Sequence, residues 1–288
     1  MAPGFLIGVD GGGSGTRLVL CDAAGKPLAR SSAGPSGLGL GIEPAWQAIH
    51  EALARAFADA GLAGAPATQC AIGLGLAGVH NPAWAAAFLD AAPPFAAIEL
   101  ATDGFTTLLG AHGGKPGVIV AIGTGTVGEA WFGGEDKRTA SGWGFPSGDE
   151  GSGAWIGLRA AQLAQKVLDG RSQSSPLARA VIAQLGGNIE QAFKWFGQAK
   201  QTTYAQLCPL VLENAPLDAA AATILRAAGE EIAQVAHALD PAASLPLALC
   251  GGLADALRPW LPAELLNRAQ PPLGDSVMGA LHLIRGHI

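Results

Sequence analysis

Two strand-length runs, residues 5–9 and 118–122, each stop at a cluster of glycines, and each cluster is followed by another such run, 17–22 and 129–132. The first cluster reads Val9-Asp10-Gly11-Gly12-Gly13-Ser14-Gly15-Thr16 and the second Ile122-Gly123-Thr124-Gly125-Thr126-Val127-Gly128. Buried strand, glycine turn and second strand is the economical reading of both. An ordinary two-residue hairpin needs one or two glycines. The first cluster has more, and such a backbone exposes its N–H groups as a nest that binds anions without a lysine. Because both halves open alike, the chain is expected to be α/β with a duplicated architecture, although no fixed-period repeat runs through it.

The pattern between these landmarks supports that expectation. After the first two strands, residues 27–32 read as a third, 44–61 as an amphipathic helix, 70–77 as a buried strand, 82–91 as a helix opened by proline, 98–102 as a strand and 104–112 as a helix. Gly113-Gly114-Lys115-Pro116-Gly117 is a breaker cluster and the expected boundary between domains 1–115 and 116–288. Beyond the second hairpin, helices are expected over 154–168, 176–185, 189–198, 204–213 and 218–239, a strand over 245–250, and a last amphipathic helix over 275–285.

Composition removes several classes. Hydrophobic residues make up 49% and charged residues 14%, which is core-forming rather than disordered material. The net charge is −6 with no basic run, so a nucleic-acid partner is not expected. No apolar stretch reaches membrane-spanning length and no signal-peptide core is visible, so the expected location is the cytoplasm, away from membranes. Cys21, Cys70, Cys208 and Cys250 are far apart and read as buried free thiols, and the six histidines show no metal-ligand spacing.

Each candidate residue has a plainer reading beside the functional one. Asp10 beside an anion nest makes sense if Mg²⁺ stands between carboxylate and phosphate, with Gly12, Gly13, Ser14 and Thr16 as donors; a flexible hairpin is the alternative. Asp103 ends a strand, where a carboxylate can accept a hydroxyl proton, but an aspartate there can equally cap the next helix. Residues 142–153, GWGFPSGDEGSG, look like a ligand loop, and Asp149 within it either meets a ligand or caps the following helix. Gly251 and Gly252 follow a strand and could let an adenosine lie against the backbone, or merely open a helix. Residues 73–78 and 123–128 both fit GxGxxG. A dinucleotide fingerprint must open a helix after its strand, which the segment after Gly128 does not do, whereas residues 73–78 leave that reading open. No GxxxxGK[ST] occurs.

Taken in order, VDGGGSGT, TDG, IGTGT, GWG…GDEGSG and the GG turn at 251–252 resemble the N-acetylglucosamine kinase and BadF/BcrA-type ATPase family. The resemblance implies the two-domain actin-like ATPase fold, with ribonuclease H-like mixed sheets flanked by helices. It implies an enzyme that phosphorylates the 6-hydroxyl of an amino sugar with ATP and Mg²⁺: N-acetylglucosamine first, glucosamine as the alternative. By the same resemblance Asp10 holds the metal through water, Gly12, Gly13 and Ser14 form the first phosphate turn, and Asp103 is the catalytic base. Thr124, Gly125 and Thr126 form the second phosphate turn, Gly142, Trp143, Gly144 and Asp149 the sugar loop, and Gly251 with Gly252 the adenosine motif. Many relatives carry an asparagine in the loop after the third strand; here 34–39 has none, and Ser36 is expected to take part of its place at the sugar. A homodimer is compatible with the family. The competing functions are an activator ATPase holding an iron–sulfur cluster at a subunit interface and a dinucleotide oxidoreductase resting on residues 73–78.

Overall fold

The computed structural model describes residues 3–287. The first part of the chain runs β1 (Phe5–Gly11), β2 (Thr16–Asp22), β3 (Pro27–Ala33), α1 (Ile42–Asp59), β4 (Cys70–Leu76), α2 (Pro82–Asp90), β5 (Ala97–Thr102) and α3 (Asp103–Ala111). It continues with β6 (Gly117–Ile122), β7 (Thr126–Gly133), β8 (Asp136–Ser141), α4 (Gly153–Leu168), α5 (Pro176–Gln184), α6 (Ile189–Gln198), α7 (Gln201–Ala205), α8 (Cys208–Asn214) and α9 (Ala219–Leu239). The last elements are β9 (Leu247–Cys250), α10 (Ala254–Leu257), α11 (Ala263–Arg268), β10 (Ala269–Gln270) and α12 (Ser276–Arg285).

Two five-stranded sheets result, ordered β3-β2-β1-β4-β5 and, read from its opposite edge, β8-β7-β6-β9-β10. The third, second, first, fourth and fifth strands of each half therefore occupy the same places, which is the duplication that the paired hairpins predict. In the first sheet β1–β2 and β2–β3 are antiparallel while β1–β4 and β4–β5 are parallel. The second sheet has β6, β9 and β10 in parallel.

The chain forms two compact units. One holds the chain as far as Gly117, Trp131–Gly134 and the segment from Pro271 onward; the other holds Val118–Ala130 and Glu135–Gln270. The last helix thus returns to the unit where the chain starts, a crossing that a single expected boundary near 113–117 does not contain. Side-chain alternation explains why both faces of β1 and β2 need a cover. Ile7, Val9, Leu18 and Leu20 pack with Ala45, Trp46, Ile49 and Ala52 of α1. Leu6, Val19 and Cys21 point the other way, onto Val277, Leu281 and Ile284 of α12.

Glycines let α12 lie directly on this sheet. A Cβ at Gly8 would collide with the carbonyl of Val277, and one at Gly73 with that of Ala280; a Cβ at Gly75 would run into Thr106 of α3. This settles the second GxGxxG. Gly73 and Gly75 sit inside a fully buried strand and serve helix approach, and the helix after it begins only at Pro82. The dinucleotide reading is therefore set aside.

Other departures are local. The second hairpin's return strand begins at Thr126, three residues before expectation. The strand β8, DKRTAS, carries no apolar alternation to reveal it and is largely exposed. The single helix expected over 204–213 is two, α7 and α8, broken ahead of Pro209 at the first turn of α8. All four cysteines are free and buried, and burial raises the thiol of Cys208 to about 12 and that of Cys250 to about 11. No helix among the described residues is long and apolar enough to cross a membrane.

Candidate active site

The first turn joins β1 to β2. Its shape is set by Gly12, whose N–H bonds the carbonyl of Gly15 (3.0 Å) and whose own carbonyl accepts from the N–H groups of Ser36 and Gly37 (both 3.1 Å). With that carbonyl anchored, the N–H groups of Gly13 and Ser14 meet no backbone acceptor among the described residues. A Cβ at Gly12 or Gly13 would meet nothing within 4 Å, so the space over the turn is open. The turn is a preformed anion nest.

Thr16 and Ser36 are both buried, and Thr16 lines the cavity over the turn. Thr16 is 1% exposed and Ser36 0%. Thr16 Oγ1 bonds the carbonyl of Gly34 (2.6 Å) and shares a second bond with Ser36 Oγ (2.7 Å). A Cβ at Gly11 would fall on the Ser36 hydroxyl, so that glycine is what admits it. The two hydroxyls brace the turn through each other and the carbonyl of Gly34.

Asp10 faces Arg17 across the β1–β2 ladder. Arg17 donates to Asp10 Oδ2 through Nη2 (2.6 Å) and Nε (3.0 Å). Burial raises the Asp10 pKa, and Arg17 opposes the rise. Asp103 stands at the start of α3. The cap of that helix is Thr102, which accepts from the N–H of Phe105 (3.0 Å), so capping does not account for Asp103. Its carboxylate takes the adjacent N–H of Gly104 (3.0 Å), and the residue remains solvent-accessible. Loss of hydration raises its pKa first and the charge of Asp10 adds to it; the Gly104 N–H and His80 act the other way. Asp10, Asp103 and the turn around Gly12 and Ser14 line one cavity of 510 Å³. Carboxylates lying near one another with raised pKa values mark a site built for chemistry rather than for stability.

The second turn lies in the other unit. Gly123 N–H bonds the carbonyl of Gly125 (2.9 Å), and the carbonyls of Gly123 and Thr124 accept from Gly153 (2.9 Å) and Ala154 (3.2 Å) at the start of α4. Thr126 is 2% exposed, and its hydroxyl has no partner. A buried hydroxyl without a partner among the described residues costs free energy. Asp149 is buried, and its carboxylate accepts from Gln201 Nε2 (2.7 Å) and from the backbone N–H groups of Gly144 and Thr126. Burial raises its pKa and those bonds counter the rise. A Cβ at Gly125 would stand 2.8 Å from Asp149 Oδ2. Asp149 therefore ties the 142–153 loop, the second turn and α7 together, with its acceptors used by protein.

Gly142 (φ 74°) and Gly144 (φ 87°) are both left-handed, and they hold Trp143 between them with 86% of its surface exposed. Gly251 (φ 89°) lies against the carbonyl of Ile122, which also accepts from the N–H of Leu253 (3.1 Å); Gly252 is open. The 251–252 pair thus abuts the end of β6, where the second turn begins. Arg17, His80 and Gln201 were not anticipated. Counting the hairpin register would have paired Arg17 with Asp10; no sequence signal points to the other two.

Among the described residues no three histidine, cysteine, aspartate or glutamate side chains converge on a metal site. Magnesium is commonly held by one or two carboxylates together with substrate phosphates. Asp10, with Asp103 in the same cavity beside open N–H donors, fits a metal that arrives with its nucleotide.

The BadF/BadG/BcrA/BcrD ATPase family model matches residues 7–266. The chain belongs to this family. Within the BadF/BadG/BcrA/BcrD relatives, the glucosamine kinase of Vibrio cholerae is 30% identical over 278 residues, 96% of this chain and 94% of its own. A Chromobacterium violaceum crystal structure, provisionally named an N-acetylglucosamine kinase, is 54% identical with a TM-score of 0.95, covering 99% of this chain and 100% of that one. A ROK family glucokinase from Streptomyces griseus, solved with glucose and AMPPNP, shares the fold at a TM-score of 0.55 and 19% identity, covering 98% and 100%. The duplicated sheets are those of the two-domain actin-like ATPase fold.

Proposed function

We propose that this chain is an ATP-dependent amino-sugar kinase acting on the 6-hydroxyl of N-acetylglucosamine, with glucosamine as the second candidate. The observation that carries the reading is the exposed, uncapping carboxylate of Asp103 in the same cavity as Asp10 and the open nest at Gly13 and Ser14. The open N–H groups of the nest at Gly13 and Ser14 are read as phosphate donors, and the Thr124–Thr126 turn of the other unit is read by itself as a second phosphate-type turn. Gly251 and Gly252 take the adenosine. Asp10 holds magnesium through its water shell, and the metal's chemistry is to neutralise phosphate charge. Asp103 accepts the proton of the sugar hydroxyl as its oxygen attacks the γ-phosphorus in line. Trp143, held out by left-handed glycines, offers an indole face to the apolar side of the sugar ring. The four buried, high-pKa thiols argue against the cluster-bearing activator reading.

A coupled ADP-release assay over hexoses and amino sugars tests this. Release with N-acetylglucosamine or glucosamine well above that with glucose is expected. Asp103→Asn should keep sugar binding and lower turnover by at least about a hundredfold. Near-normal turnover in that variant removes Asp103 from the role, and absence of amino-sugar-dependent release removes the function.

A further inference from the structure

Arg17 is unexplained by the reading above. It leaves β2 directly opposite Asp10 and places two N–H donors on a single oxygen, Oδ2, of the carboxylate assigned to the metal. The Asp10 side chain is only 17% exposed, whereas Arg17 is 57% exposed. Arg17 also lines the cavity that contains Asp10, Asp103 and the nest. A second arginine, Arg30, faces the same neighbourhood, but Asp275 holds it at 2.8 Å while Asp275 also caps α12 through the N–H of Met278. Arg17 is therefore the cation of this corner that pairs with Asp10, while Arg30 pairs with Asp275.

Resting on the kinase reading, we propose that Arg17 is a resident counter-ion for Asp10 that magnesium displaces when the nucleotide binds. In the empty protein Asp10 and Asp103 stand in one cavity, and without Arg17 both charges would face it unpaired. A half-buried carboxylate tolerates that badly, so the guanidinium holds it. When the metal's water shell takes over Asp10 Oδ2, the two Arg17 bonds break. The flexible side chain is then released beside the phosphates, whose negative charge attracts it. The exchange makes bare metal compete with an internal cation. It gives a reason for the metal to enter as its nucleotide complex rather than alone: only the complex repays the lost ion pair with phosphate contacts.

The discriminating measurement is binding of Mn²⁺ alone, followed by electron paramagnetic resonance on the full-length protein without nucleotide. Arg17→Met should bind Mn²⁺ about five- to tenfold more tightly than wild type, the scale of a lost charged hydrogen-bonded pair. Arg17→Lys, with a charge but no fork, should fall between them. The same Arg17→Met protein should bind ATP in EDTA more weakly than wild type in a fluorescent-nucleotide competition. A purely structural arginine would leave Mn²⁺ affinity unchanged or lower it, and either result overturns the exchange. Asp10→Asn separates this from failure of the kinase reading. If Asp10→Asn abolishes Mn²⁺ binding while Arg17→Met leaves it as in wild type, only the exchange is wrong. If Asp10→Asn has no effect on Mn²⁺ binding, the assignment of Asp10 to the metal is wrong, and the exchange falls with it.

Discussion

Gly279→Ala tests how closely the position of the Asp103 carboxylate depends on the last helix. The helices α12 and α3 meet backbone to backbone. A Cβ at Gly279 would lie 2.6 Å from the amide nitrogen of Gly110 and closer still to the carbonyl oxygen of Thr106. Non-bonded heavy atoms prefer about 3.5–4.0 Å, so the two helices must separate by roughly 1 Å or more, and no rotamer change relieves backbone obstacles. Val277, Leu281 and Ile284, each 1% exposed or less, would lose part of their contact with β1 and β2. A gap of ~1 Å forfeits up to half of the local dispersion energy, and overpacking of this kind costs about 1–3 kcal/mol. Taking about 3 kcal/mol from the upper end, and ~2–4 °C per kcal/mol for chains of this size, the melting temperature should drop by roughly 6–12 °C. Because α3 starts at Asp103, turnover should fall too; misplacement by ~1 Å can cost about a hundredfold. Differential scanning fluorimetry and the coupled assay read both effects. Gly252→Ala, where a Cβ meets nothing within 4 Å, is the control and should melt like wild type. A Gly279→Ala protein melting within ~2 °C of wild type with unchanged turnover would refute the packing argument.

Gly12→Ala should melt normally, because the methyl enters open space, yet lose most of the stabilisation that ATP and magnesium confer in the same instrument. For Asp103 the sign of the pH effect follows from its raised pKa. The folded state disfavours the charged form, so the penalty is present at neutral pH and disappears as pH falls through the raised value. Asp103→Asn should therefore melt above wild type at pH 7, with the difference shrinking in acid, while the acidic limb of the wild-type kcat/KM profile lies above the ordinary aspartate value of 3.8. Thr126→Val removes an orphaned hydroxyl and should stabilise the ligand-free protein by about 1 kcal/mol, while weakening ATP binding in calorimetry.

Much of the fold was legible because local chemistry and global position agree. The glycine turns, the buried strands leading into them and the helices with proline or aspartate starts all appear where periodicity and punctuation put them. Asp10 stood out beside the glycine turn, whereas Asp103 was marked only by the family resemblance, since its position alone left helix capping open. The strand β8 was not, since a polar edge strand buries too little to pattern its sequence.

The chain's own order of residues determined the two hairpins, because those depend on neighbours a few residues away, whereas the strand order rests on pairings such as Phe5 with Cys70 and Val118 with Leu247. Tertiary structure alone decided which polar groups remain available. Thr16 and Ser36 turn inward because Gly11 admits a hydroxyl beneath the strand, and the Asp149 carboxylate is taken up by Gln201, more than fifty positions along. It also decided that Gly73 serves α12, from the far end of the chain, and Gly75 the approach of Thr106 on α3. A glycine looks the same in sequence whether it clears room for a phosphate or for a backbone, and only the packed neighbour tells the two apart.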